Sequence, residues 1–496
     1  TPAYSRRGLS RSRARSFGDA CSNRYKMAEL RNESATDTGV EDELYAKRQK
    51  IYPREVHGVF AGLRALGVAA LLGLYYVVPW LRFDGHQAVL FDLPARKFHI
   101  FGLTFWPQDF FFLAWLLVIA ALSLFFFTAL AGRLWCGYAC PQTVWSELFL
   151  WIERWVEGDR NRQIKLDKGP ATAAKFRLKA TKHALWLTLS AWTGFTFVGY
   201  FTPVTELWSS LLAFTLGPWE AFWIVFYGFA TYGNAGWMRE QVCIYMCPYA
   251  RFQSAMFDRD TLIISYDEKR GEPRGSRKKN LDHHGAGLGD CVDCTLCVQV
   301  CPTGIDIRNG LQYQCIGCAA CIDACDEVMQ KMNYPKGLIR YTTENGLEGR
   351  PAHLLRPRIA AYALFLLALT AGLIYAISRR EPIELDIIRD RNMLYRETDT
   401  GLVENVYTLK LINMDDVAHD YRLSVSGLPG LELDTVQDKI NVGSGEVRDF
   451  PVRVRVDPIH LERPSNEIAF TLEALDDPTL QTTQAGRFIG PAAGAR

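Results

Sequence analysis

Five long apolar runs interrupt the polar sequence and together predict a membrane domain. They cover residues 58–80, 109–131, 183–203, 218–238 and 358–377. A hydrocarbon core about 30 Å thick needs roughly 20 helical residues, and a charge at mid-span costs about 3 kcal/mol. Each run is long enough, and its few charges lie near its ends, so we predict five transmembrane helices. Arg64 lies near the start of the first run, where its long stem can snorkel to the interface.

The basic residues between these runs predict how the helices are oriented. Residues 133–182 are rich in Lys and Arg, whereas residues 204–217 contain neither. Because short basic loops stay on the cytoplasmic side, we place residues 133–182 there. Counting outward puts residues 1–57 and 239–357 in the cytoplasm, and residues 82–108 and 380–496 in the periplasm. Burial of all five runs in a soluble core is the alternative, but five such lengths in one chain are rare outside membranes.

After the last apolar run the sequence pattern changes: apolar residues recur at every second position. Apolar and polar residues alternate in several short stretches separated by Gly and Pro turns, which predicts an antiparallel β-sandwich of immunoglobulin-like type. The stretches begin at Ile383, Val406, Tyr421, Val452 and Ile468. This segment contains no cysteine, so its stability must come from its own core. We interpret it as a docking or assembly module rather than an active site.

The first 26 residues are basic and Ser-rich, and Met27 then begins an acidic, polar stretch. No apolar segment of signal-peptide type follows, although a transit peptide has this composition. We expect Met27 to be the natural start and residues 1–26 to be non-native. An intact mass of the native protein that included Thr1 would contradict this expectation.

Composition, charge and motifs argue against several classes of function. With 56 basic and 54 acidic side chains in 496 residues, the net charge of +2 does not favour electrostatic binding of nucleic acid. There is no Walker loop, and no GxGxxG lies between a strand and a helix, so nucleotide binding is unsupported. Of the 13 cysteines, all but Cys21 fall in four tight groups, which is not the distribution of a disulfide-stapled fold.

Residues 281–335 contain the motif C-x2-C-x2-C-x3-C twice, which predicts a bacterial-type ferredoxin domain with two 4Fe-4S clusters. Three cysteines at steps of three surround one cluster, and the fourth belongs to the other cluster. Cluster one is predicted to use Cys291, Cys294, Cys297 and Cys325, and cluster two Cys315, Cys318, Cys321 and Cys301. Zinc is the alternative, but its sites usually take two separated C-x2-C pairs and have no role for a third cysteine at the same step.

The other two cysteine groups share the motif C-x3-C-P and follow the second and fourth apolar runs. They are Cys136 with Cys140 and Cys243 with Cys247, each followed directly by proline. Two cysteines four residues apart can share one helix face, which would suit joint metal ligation. Proline is best tolerated in the first turn of a helix, so the alternative is a new helix that begins at Pro141 and at Pro248 and leaves Cys140 and Cys247 near its N-terminus. The nearby helix termini predict acidic thiols, and soft thiolates prefer Cu(I). Ordinary buried cysteines at the membrane edge are the alternative.

The two C-x3-C-P units form a degenerate internal repeat. Arg133 and Arg239 precede the two motifs, and Glu153-Arg154 and Asp258-Arg259 follow at similar distances. We therefore expect the two units to pack against each other as a pair.

Taken together, these motifs resemble the cytochrome c oxidase accessory proteins of the CcoG/FixG/RdxA family. The resemblance rests on the two C-x3-C-P motifs, the double ferredoxin motif, the stretches 45–54 and 325–341, one further span and a β-sandwich tail. It covers the chain from about Met27 to the C-terminus. Asp326 stands where a plain bacterial ferredoxin has proline, which favours this family over generic ferredoxins.

The resemblance implies a bacterial inner-membrane cupric reductase that assists maturation of a cbb-type oxidase. The eight ferredoxin cysteines would then hold the clusters, and Cys136, Cys140, Cys243 and Cys247 would be the catalytic thiols that receive copper. The implied partners are the membrane, a cytoplasmic electron donor and a copper chaperone or oxidase-assembly protein. Homodimerisation is left open, as is whether the four thiols form one site or two.

Two other functions remain open at this stage. A quinol-oxidising subunit that feeds a periplasmic reductase shares the C-x3-C-P and ferredoxin layout, although the large C-terminal sandwich argues against it. A non-enzymatic assembly scaffold with structural clusters is the second. The first predicts oxidation of menaquinol, and the second predicts that oxidase assembly survives when cluster reduction is prevented.

Overall fold

The computed structural model describes residues 50–491, apart from 84, 280–284, 286, 354, 381, 391–392, 416 and 436–437. Most of the predicted tail, with Cys21 and Met27, lies outside the described residues. The α-helices in chain order are α1 Val59–Val77, α2 Phe110–Ala131, α3 Leu134–Tyr138, α4 Pro141–Glu157, α5 Arg160–Lys168, α6 Ala173–Val198, α7 Val204–Leu212, α8 Pro218–Thr231, α9 Pro248–Met256, α10 Glu268–Gly271, α11 Leu296–Gln299, α12 Ala320–Met332, α13 Glu344–Leu347 and α14 Pro357–Ser378.

Three of the five predicted spans are helices long and apolar enough to cross a membrane. With their flanking 3-10 turns they cover Val59–Trp80, Pro107–Ala131 and Pro357–Ser378. Such a helix can lie in lipid because its backbone N–H and C=O groups are hydrogen-bonded within the helix. The chain is therefore membrane-associated through at least these helices.

The third and fourth runs differ from the sequence prediction in their bounds. Helix α6 begins at Ala173 rather than at 183, because the basic segment before the apolar run continues the same helix, and it ends at Val198 rather than at 203. Helix α8 has 14 residues and then passes into a π-helix over Tyr232–Met238. Since neither is an uninterrupted apolar α-helix over the predicted range, the count of five spans stays a prediction.

Helices α6 and α8 pack closely because glycines face each other along them. A Cβ atom on Gly194 would lie 2.3 Å from the carbonyl oxygen of Ile224, whereas one on Gly228 would be in ordinary van der Waals contact with the backbone of Ser190 and Ala191 at 3.4–3.6 Å. Small residues at such a crossing let the two backbones approach, which is the usual way that membrane helices associate.

The helices have one end at the ferredoxin segment and the other at the sandwich. At one end, Arg356 and Arg358 before and within α14 pair with Asp258. At the other end, Arg380 after α14 forms a 2.5 Å ion pair with Asp109 before α2 and donates to the carbonyl of Thr104. This places residues 82–108 and the sandwich on the same side, as the predicted orientation requires. Which side is cytoplasmic stays a prediction.

The segment between α1 and α2 and the region around the ferredoxin motifs each contain short strands. In the first segment the strands are β1 Arg82–Phe83, β2 His86–Gln87, β3 Val89–Asp92, β4 Lys97–Ile100 and β5 Leu103–Phe105. Strands β6 Ile263–Tyr266 and β7 Ile339–Thr342 pair antiparallel and bracket the ferredoxin motifs. The ferredoxin fold therefore extends beyond the predicted range of 281–335, because its closing β-ladder uses residues on both flanks.

The C-terminal segment is the predicted immunoglobulin-like sandwich of two antiparallel sheets. Its strands are β8 Ile383–Arg389, β9 Arg396–Glu397, β10 Val403–Asn413, β11 His419–Ser426, β12 Glu432–Thr435, β13 Ile440–Val442, β14 Val447–Val456, β15 Ser465–Ala474 and β16 Gln481–Ile489. One sheet has the order β12-β14-β10-β8, with β9 also on β10, and the other has the order β13-β11-β15-β16.

The sandwich core comes from the alternate positions that the sequence pattern marked. Tyr407 packs edge-to-face on Phe470 with ring centroids 5.1 Å apart, and both are fully buried. All five predicted stretches lie within strands. Strand β16 was not among them because its sequence is mostly Thr, Gln and Gly, and Phe488 is its one fully buried large side chain.

A buried histidine makes the sandwich pH-dependent. The imidazole of His419 lies 2.7 Å from Asp476 and 2.9 Å from Asp415. Burial disfavours the imidazolium, but the hydrogen bonds to the two carboxylates outweigh this effect, so the pKa of His419 is raised above 6.5.

We expect the stabilisation from His419 to be full below pH 6.5 and to be lost as the pH rises through the folded-state pKa. The test compares thermal unfolding of the full chain in detergent with that of His419→Gln. The unmodified chain should have its advantage in Tm at pH 5.5 and lose most of it at pH 9. An advantage that is constant or grows with pH would contradict the raised pKa.

A second buried charge network joins α4, α6 and the segment after α8. The Glu153 carboxylate, 1% exposed, accepts from Arg239 at 2.6 Å and from Lys182 at 3.2 Å. Lys182 also lies 2.8 Å from Glu157, and its Nζ is 4.7 Å from the centroid of the Trp186 ring. These charges remain buried only because each is paired and hydrogen-bonded.

Glu153→Ala should destabilise the protein by about 3–5 kcal/mol, because Arg239 and Lys182 would be left buried without their shared carboxylate. Thermal unfolding in detergent measures this effect. The control is Glu327→Ala, which removes a surface pair with Lys331 and should cost less than about 1 kcal/mol. Equal losses in the two variants would show that the network is not structural.

Candidate metal centres

The two ferredoxin motifs have the same backbone conformation at equivalent positions. The residue before the second cysteine of each motif has a left-handed φ, which is 52° at Asp293 and 71° at Gly317. The residue after it is also left-handed, with φ of 57° at Thr295 and 58° at Ala319. Non-glycine residues rarely adopt this region. Its recurrence at three of these four positions indicates that both loops are shaped around the same kind of group.

The structure brings the eight cysteines close together in one region. The thiols of Cys291, Cys294 and Cys297 interact electrostatically with that of Cys325. Those of Cys301, Cys315 and Cys318 interact with that of Cys321, and these four line one cavity together with Cys297, which also interacts with Cys321. Cys321 and Cys325 both lie on α12, one turn apart, and are predicted to serve different clusters.

Each set fits a 4Fe-4S cluster. The cavity beside Cys321 is otherwise walled by apolar side chains such as Ile264, Ile305 and Ile316. Burial raises the pKa of Cys318 to about 12, so this thiol is protonated at neutral pH unless a metal displaces the proton. Within the described part of the chain, no three His, Cys, Asp or Glu side chains converge on one metal ion. A cluster does not need such convergence, because each cysteine binds a different iron. The individual ligand assignments stay a prediction.

The first predicted set contains the one exposed cysteine of the eight, Cys294. Cys291 and Cys297 of that set are as buried as Cys318 of the second, at 8% exposed. Cys318 packs in one apolar group with Ile316 and Ala320, and Cys136 and Cys243 pack against that group. The second ferredoxin loop is therefore in contact with the membrane-edge thiols.

The C-x3-C-P motifs have the local structure in which a new helix begins at the proline. Cys140 is the residue before α4, which begins at Pro141, and Cys247 is the residue before α9, which begins at Pro248. The preceding segments are the short helix α3 and a π-helix over Val242–Met246. Proline at the first helical position places the two second cysteines at helix N-termini, as expected.

All four membrane-edge thiols belong to one group. Cys243 interacts electrostatically with Cys136, Cys140 and Cys247, and Cys136 interacts with Cys140 and Cys247. The Cys136 thiol also donates to the Gln253 side chain at 3.3 Å. The four thiols are therefore neighbours, but within the described residues no three of them converge on one metal ion, so one site or two stays an open prediction.

The prediction of acidic thiols was wrong for Cys136, Cys140 and Cys243. Burial raises the pKa of Cys136 to about 11 and that of Cys243 to about 12, and neighbouring thiols add to the shift. The pKa of Cys140 is also raised by burial, although it caps α4. Desolvation at the membrane edge therefore outweighs the helix terminus, and a bound cation would have to displace protons.

The two thiol units pack as the predicted pair, and each exchanges contacts with the helix of the other. Arg239, from the second unit, pairs with Glu153 on α4 of the first. Arg133, from the first unit, donates to Ser254 Oγ at 2.7 Å and to the Ala250 carbonyl, both on α9 of the second. The exchange fixes the positions of the four thiols relative to each other.

The second ferredoxin loop receives hydrogen bonds from three side chains, of which Arg64 and Arg133 belong to the membrane-helix region and Tyr341 belongs to β7 of the ferredoxin fold. The carbonyl oxygens of Cys315, Gly317 and Cys318 accept hydrogen bonds from Arg133 at 3.0 Å, from Tyr341 at 2.6 Å and from Arg64 respectively. Arg133 also donates to the carbonyl of Tyr313. The ferredoxin loop offers Arg64 a backbone acceptor, and the position of Arg64 at the lipid interface stays a prediction.

Two further contacts were not predicted from sequence. The Asp323 carboxylate on α12 accepts the backbone N–H groups of Phe60 and Ala61 at 3.2 and 2.7 Å, and so caps α1 from another domain. Gly58 permits this approach, since a Cβ there would lie 2.3 Å from the Asp323 Oδ1. A glycine directly before an apolar run was the only sequence signal.

Comparison with known proteins agrees with this architecture. Residues 238–344 match a family described as a 4Fe-4S dicluster domain, and residues 113–162 match a family described as a 4Fe-4S binding domain. Residues 373–491 match the IG-like fold at the C-terminal of FixG. The second match includes Cys136 and Cys140, and the first includes Cys243 and Cys247.

Curated relatives extend the similarity to most of the chain. The nitrogen fixation protein FixG of Rhizobium meliloti is 40% identical over 440 residues, which are 81% of this chain and 84% of the relative. The chain belongs to the FixG/RdxA family. Protein RdxA of Cereibacter sphaeroides is 42% identical over 402 residues, covering 78% of this chain and 84% of the relative. The family membership and the matched domains make the chain an iron-sulfur electron-transfer protein.

A solved structure is similar to part of the chain. The FixG-related protein from Vibrio parahaemolyticus is 34% identical and covers 22% of this chain and 97% of its own length, with a TM-score of 0.21.

Gly137→Ala should loosen the contact between α3 and the second ferredoxin loop. A Cβ on Gly137 would lie 2.7 Å from the Gly317 carbonyl oxygen and 2.9 Å from Cys318 Cα. Because both are backbone atoms, the loop must move, at a cost of about 1–3 kcal/mol. Amide hydrogen exchange in residues 313–318 should rise, measured by mass spectrometry on the full chain.

The control for that experiment is Gly62→Ala on α1, where an added Cβ meets no atom within 4 Å. It should leave exchange in residues 313–318 unchanged. Unaltered exchange in the Gly137 variant would mean that α3 does not hold the loop.

Proposed function

We propose that this chain is a membrane-bound cupric reductase that reduces Cu(II) to Cu(I) for assembly of a cbb-type cytochrome c oxidase. Copper is the substrate, and Cys136, Cys140, Cys243 and Cys247 are the thiols that receive it. The observation that carries the proposal is the packing of Cys136 and Cys243 against the second ferredoxin loop. The resemblance to oxidase accessory proteins supplies the identity of the metal.

In this proposal the eight ferredoxin cysteines hold two 4Fe-4S clusters with the ligand sets predicted from the motif spacing. When bound, the clusters supply one-electron transfer at low potential. The left-handed residues at 293, 295, 317 and 319 shape the loops that place the thiols. The apolar walls beside Cys321 exclude water from one of the two sites.

The exposures of the cysteines support a direction for the electron. Exposed Cys294 marks the first set as the side that a cytoplasmic electron carrier can approach. The second set is covered by α1 and α3 through Arg64 and Arg133, and it is the one in contact with the membrane-edge thiols. The electron would therefore arrive at the first set and leave from the second.

The four thiols suit copper because soft sulfur ligands favour Cu(I) over Cu(II). Binding that is tighter for the product oxidation state adds driving force to the reduction. The thiols are grouped, but no three of them converge on one point in the described part of the chain. A substrate ion has to leave, so an open group of thiols fits this task better than a closed cage.

The reaction balances with one electron. A reduced cytoplasmic electron carrier loses one electron, Cu(II) gains it and becomes Cu(I), and no covalent bond is made or broken apart from copper–ligand exchange. Protons leave the thiols when copper binds, because the pKa values of Cys136 and Cys243 lie above neutral. Cu(I) then passes to a copper chaperone or oxidase-assembly protein, for which the sandwich is the proposed docking module.

The test uses the purified full chain with its clusters loaded and reduced under anaerobic conditions. Cu(II) is added, and Cu(I) is measured with a chromogenic chelator. Replacing Cys136, Cys140, Cys243 and Cys247 together with serine should lower the rate at least about tenfold, because the soft ligands are lost. Electron paramagnetic resonance (EPR) of the reduced clusters is the control and should be unchanged.

An unaltered rate in the four-serine variant, with intact cluster signals, would contradict the copper site. Menaquinol is tested in parallel as the electron donor. If menaquinol reduces the clusters while added Cu(II) does not reoxidise them, the quinol-oxidising function would replace this proposal.

A further inference from the structure

The two ferredoxin sites differ in the charge of their surroundings as well as in exposure. Beside the second site lie two guanidinium groups, those of Arg64 and Arg133, which donate to the carbonyls of Cys318 and Cys315. Their acceptors are backbone carbonyls and the Ser254 hydroxyl, and among the described residues neither arginine forms an ion pair with a carboxylate. Their positive charge is therefore not neutralised locally by an ion pair.

Arginines near the first site are paired with carboxylates. Arg308, which interacts with the Cys297 thiol, is tied to Asp306 at 2.7 Å and to Asp293 at 2.5 Å. Arg270 pairs with Asp290, the residue before Cys291, at 2.5 Å. Asp306 also interacts with the Cys297 thiol, and Asp326 interacts with the Cys325 thiol. The positive charge of Arg308 and Arg270 is therefore offset by ion pairs, unlike that of Arg64 and Arg133.

One carboxylate works against the arginines at the second site. Asp323 lies near Arg64, and both interact with Tyr138 beside the second loop. Its two oxygen atoms accept the N–H groups of Phe60 and Ala61. The balance of charge at the second site still favours the two guanidinium groups.

Burial and positive charge have opposite effects on how readily a cluster at the second site accepts an electron. Reduction adds one negative charge to a 4Fe-4S cluster, and a buried, apolar site disfavours that charge. Burial alone would therefore leave the electron on the exposed first site. Positive charge held close in a low-dielectric environment acts strongly in the other direction.

We propose that Arg64 and Arg133 raise the reduction potential of the cluster held by Cys301, Cys315, Cys318 and Cys321 above that of the other cluster. An electron then moves from the first site, which is oxidised by one electron, to the second, which is reduced by one, without proton transfer. The two arginines are positioning residues that act through the second ferredoxin loop. The inference rests on the proposed clusters but does not depend on copper being the acceptor.

The test is a redox titration of the full chain in detergent, followed by EPR, which reports the midpoint potential of each cluster. Arg64→Gln and Arg133→Gln should each shift one and the same cluster to a lower potential. Arg64→Lys and Arg133→Lys keep the charge and should leave that potential close to the original. The shift is expected to be larger at Arg133, which contacts two carbonyls of the loop.

Asp323→Asn gives a test of opposite sign that leaves the size of the side chain unchanged. The amide oxygen can still accept an N–H group of α1, but the opposing charge is removed, so the same cluster should shift to a higher potential. Arg340→Gln is the control. Arg340 lies on β7 beside Tyr341 but points to the other side of the strand, where it pairs with Asp267 at 3.0 Å. It should shift neither cluster.

The proposal is overturned if both potentials stay unchanged in the Gln variants with normal iron content, or if both clusters shift equally. If the Gln variants do not load iron, Asp323→Asn decides: a potential that stays constant or falls overturns the proposal. Loss of copper reduction with the predicted potentials intact would contradict the proposed function and leave this inference standing.

Discussion

The buried guanidinium of Arg133 joins the three parts of the molecule that carry cysteine chemistry. It extends from the start of α3, three residues before Cys136 and four before Gly137, to α9 and to the second ferredoxin loop. A guanidinium remains charged in proteins and has five donors in a fixed fork, so it can bond to several backbone carbonyls at once. The relative placement of the thiols and the ferredoxin loop depends on this residue, because its side chain bonds to both α9 and residues 313–315.

The internal repeat shows how equivalent residues can have different electrostatic roles. Arg239 corresponds to Arg133, but it pairs with buried Glu153, and Lys182 and Glu157 complete the network. That arginine is neutralised and holds α4 and α6 together. Arg133 bonds only to neutral acceptors and keeps its field. The two units of the repeat are therefore alike in backbone placement but differ in charge. The arginine that is not neutralised, Arg133, is the one beside the ferredoxin loop.

Local features of the fold could be predicted from sequence because they depend on local patterns. The period-two stretches predicted the sandwich strands, and proline after Cys140 and Cys247 predicted the starts of α4 and α9. Strand β16 and the bounds of α6 were not predicted. The first has too few apolar residues, and the second continues through a basic segment that helix propensity tolerates. In both cases packing decides what the local pattern leaves open.

Features that depend on contacts between domains could not be predicted. Nothing local to Asp323 indicates that it caps α1, and the raised pKa values of Cys136 and Cys243 follow from burial that only the assembled structure creates. Arg64 was visible as a charge in an apolar run, but its acceptor is a carbonyl more than 250 residues away. A charged side chain near the end of a span can reach the lipid interface or an acceptor on another domain. Which of the two it meets depends on whether another domain covers that end.

The close contacts also explain why a ferredoxin fold would be fixed to the membrane domain rather than tethered by a linker. Gly58 lets Asp323 cap α1, and Gly137 lets α3 touch the backbone of Gly317. Both contacts involve backbone atoms, which cannot yield by changing rotamer. A rigid junction keeps the second ferredoxin site at one distance from the four thiols. Cys294 of the first site is exposed to solvent, so in the proposed function a partner would approach the first site while the electron leaves from the second.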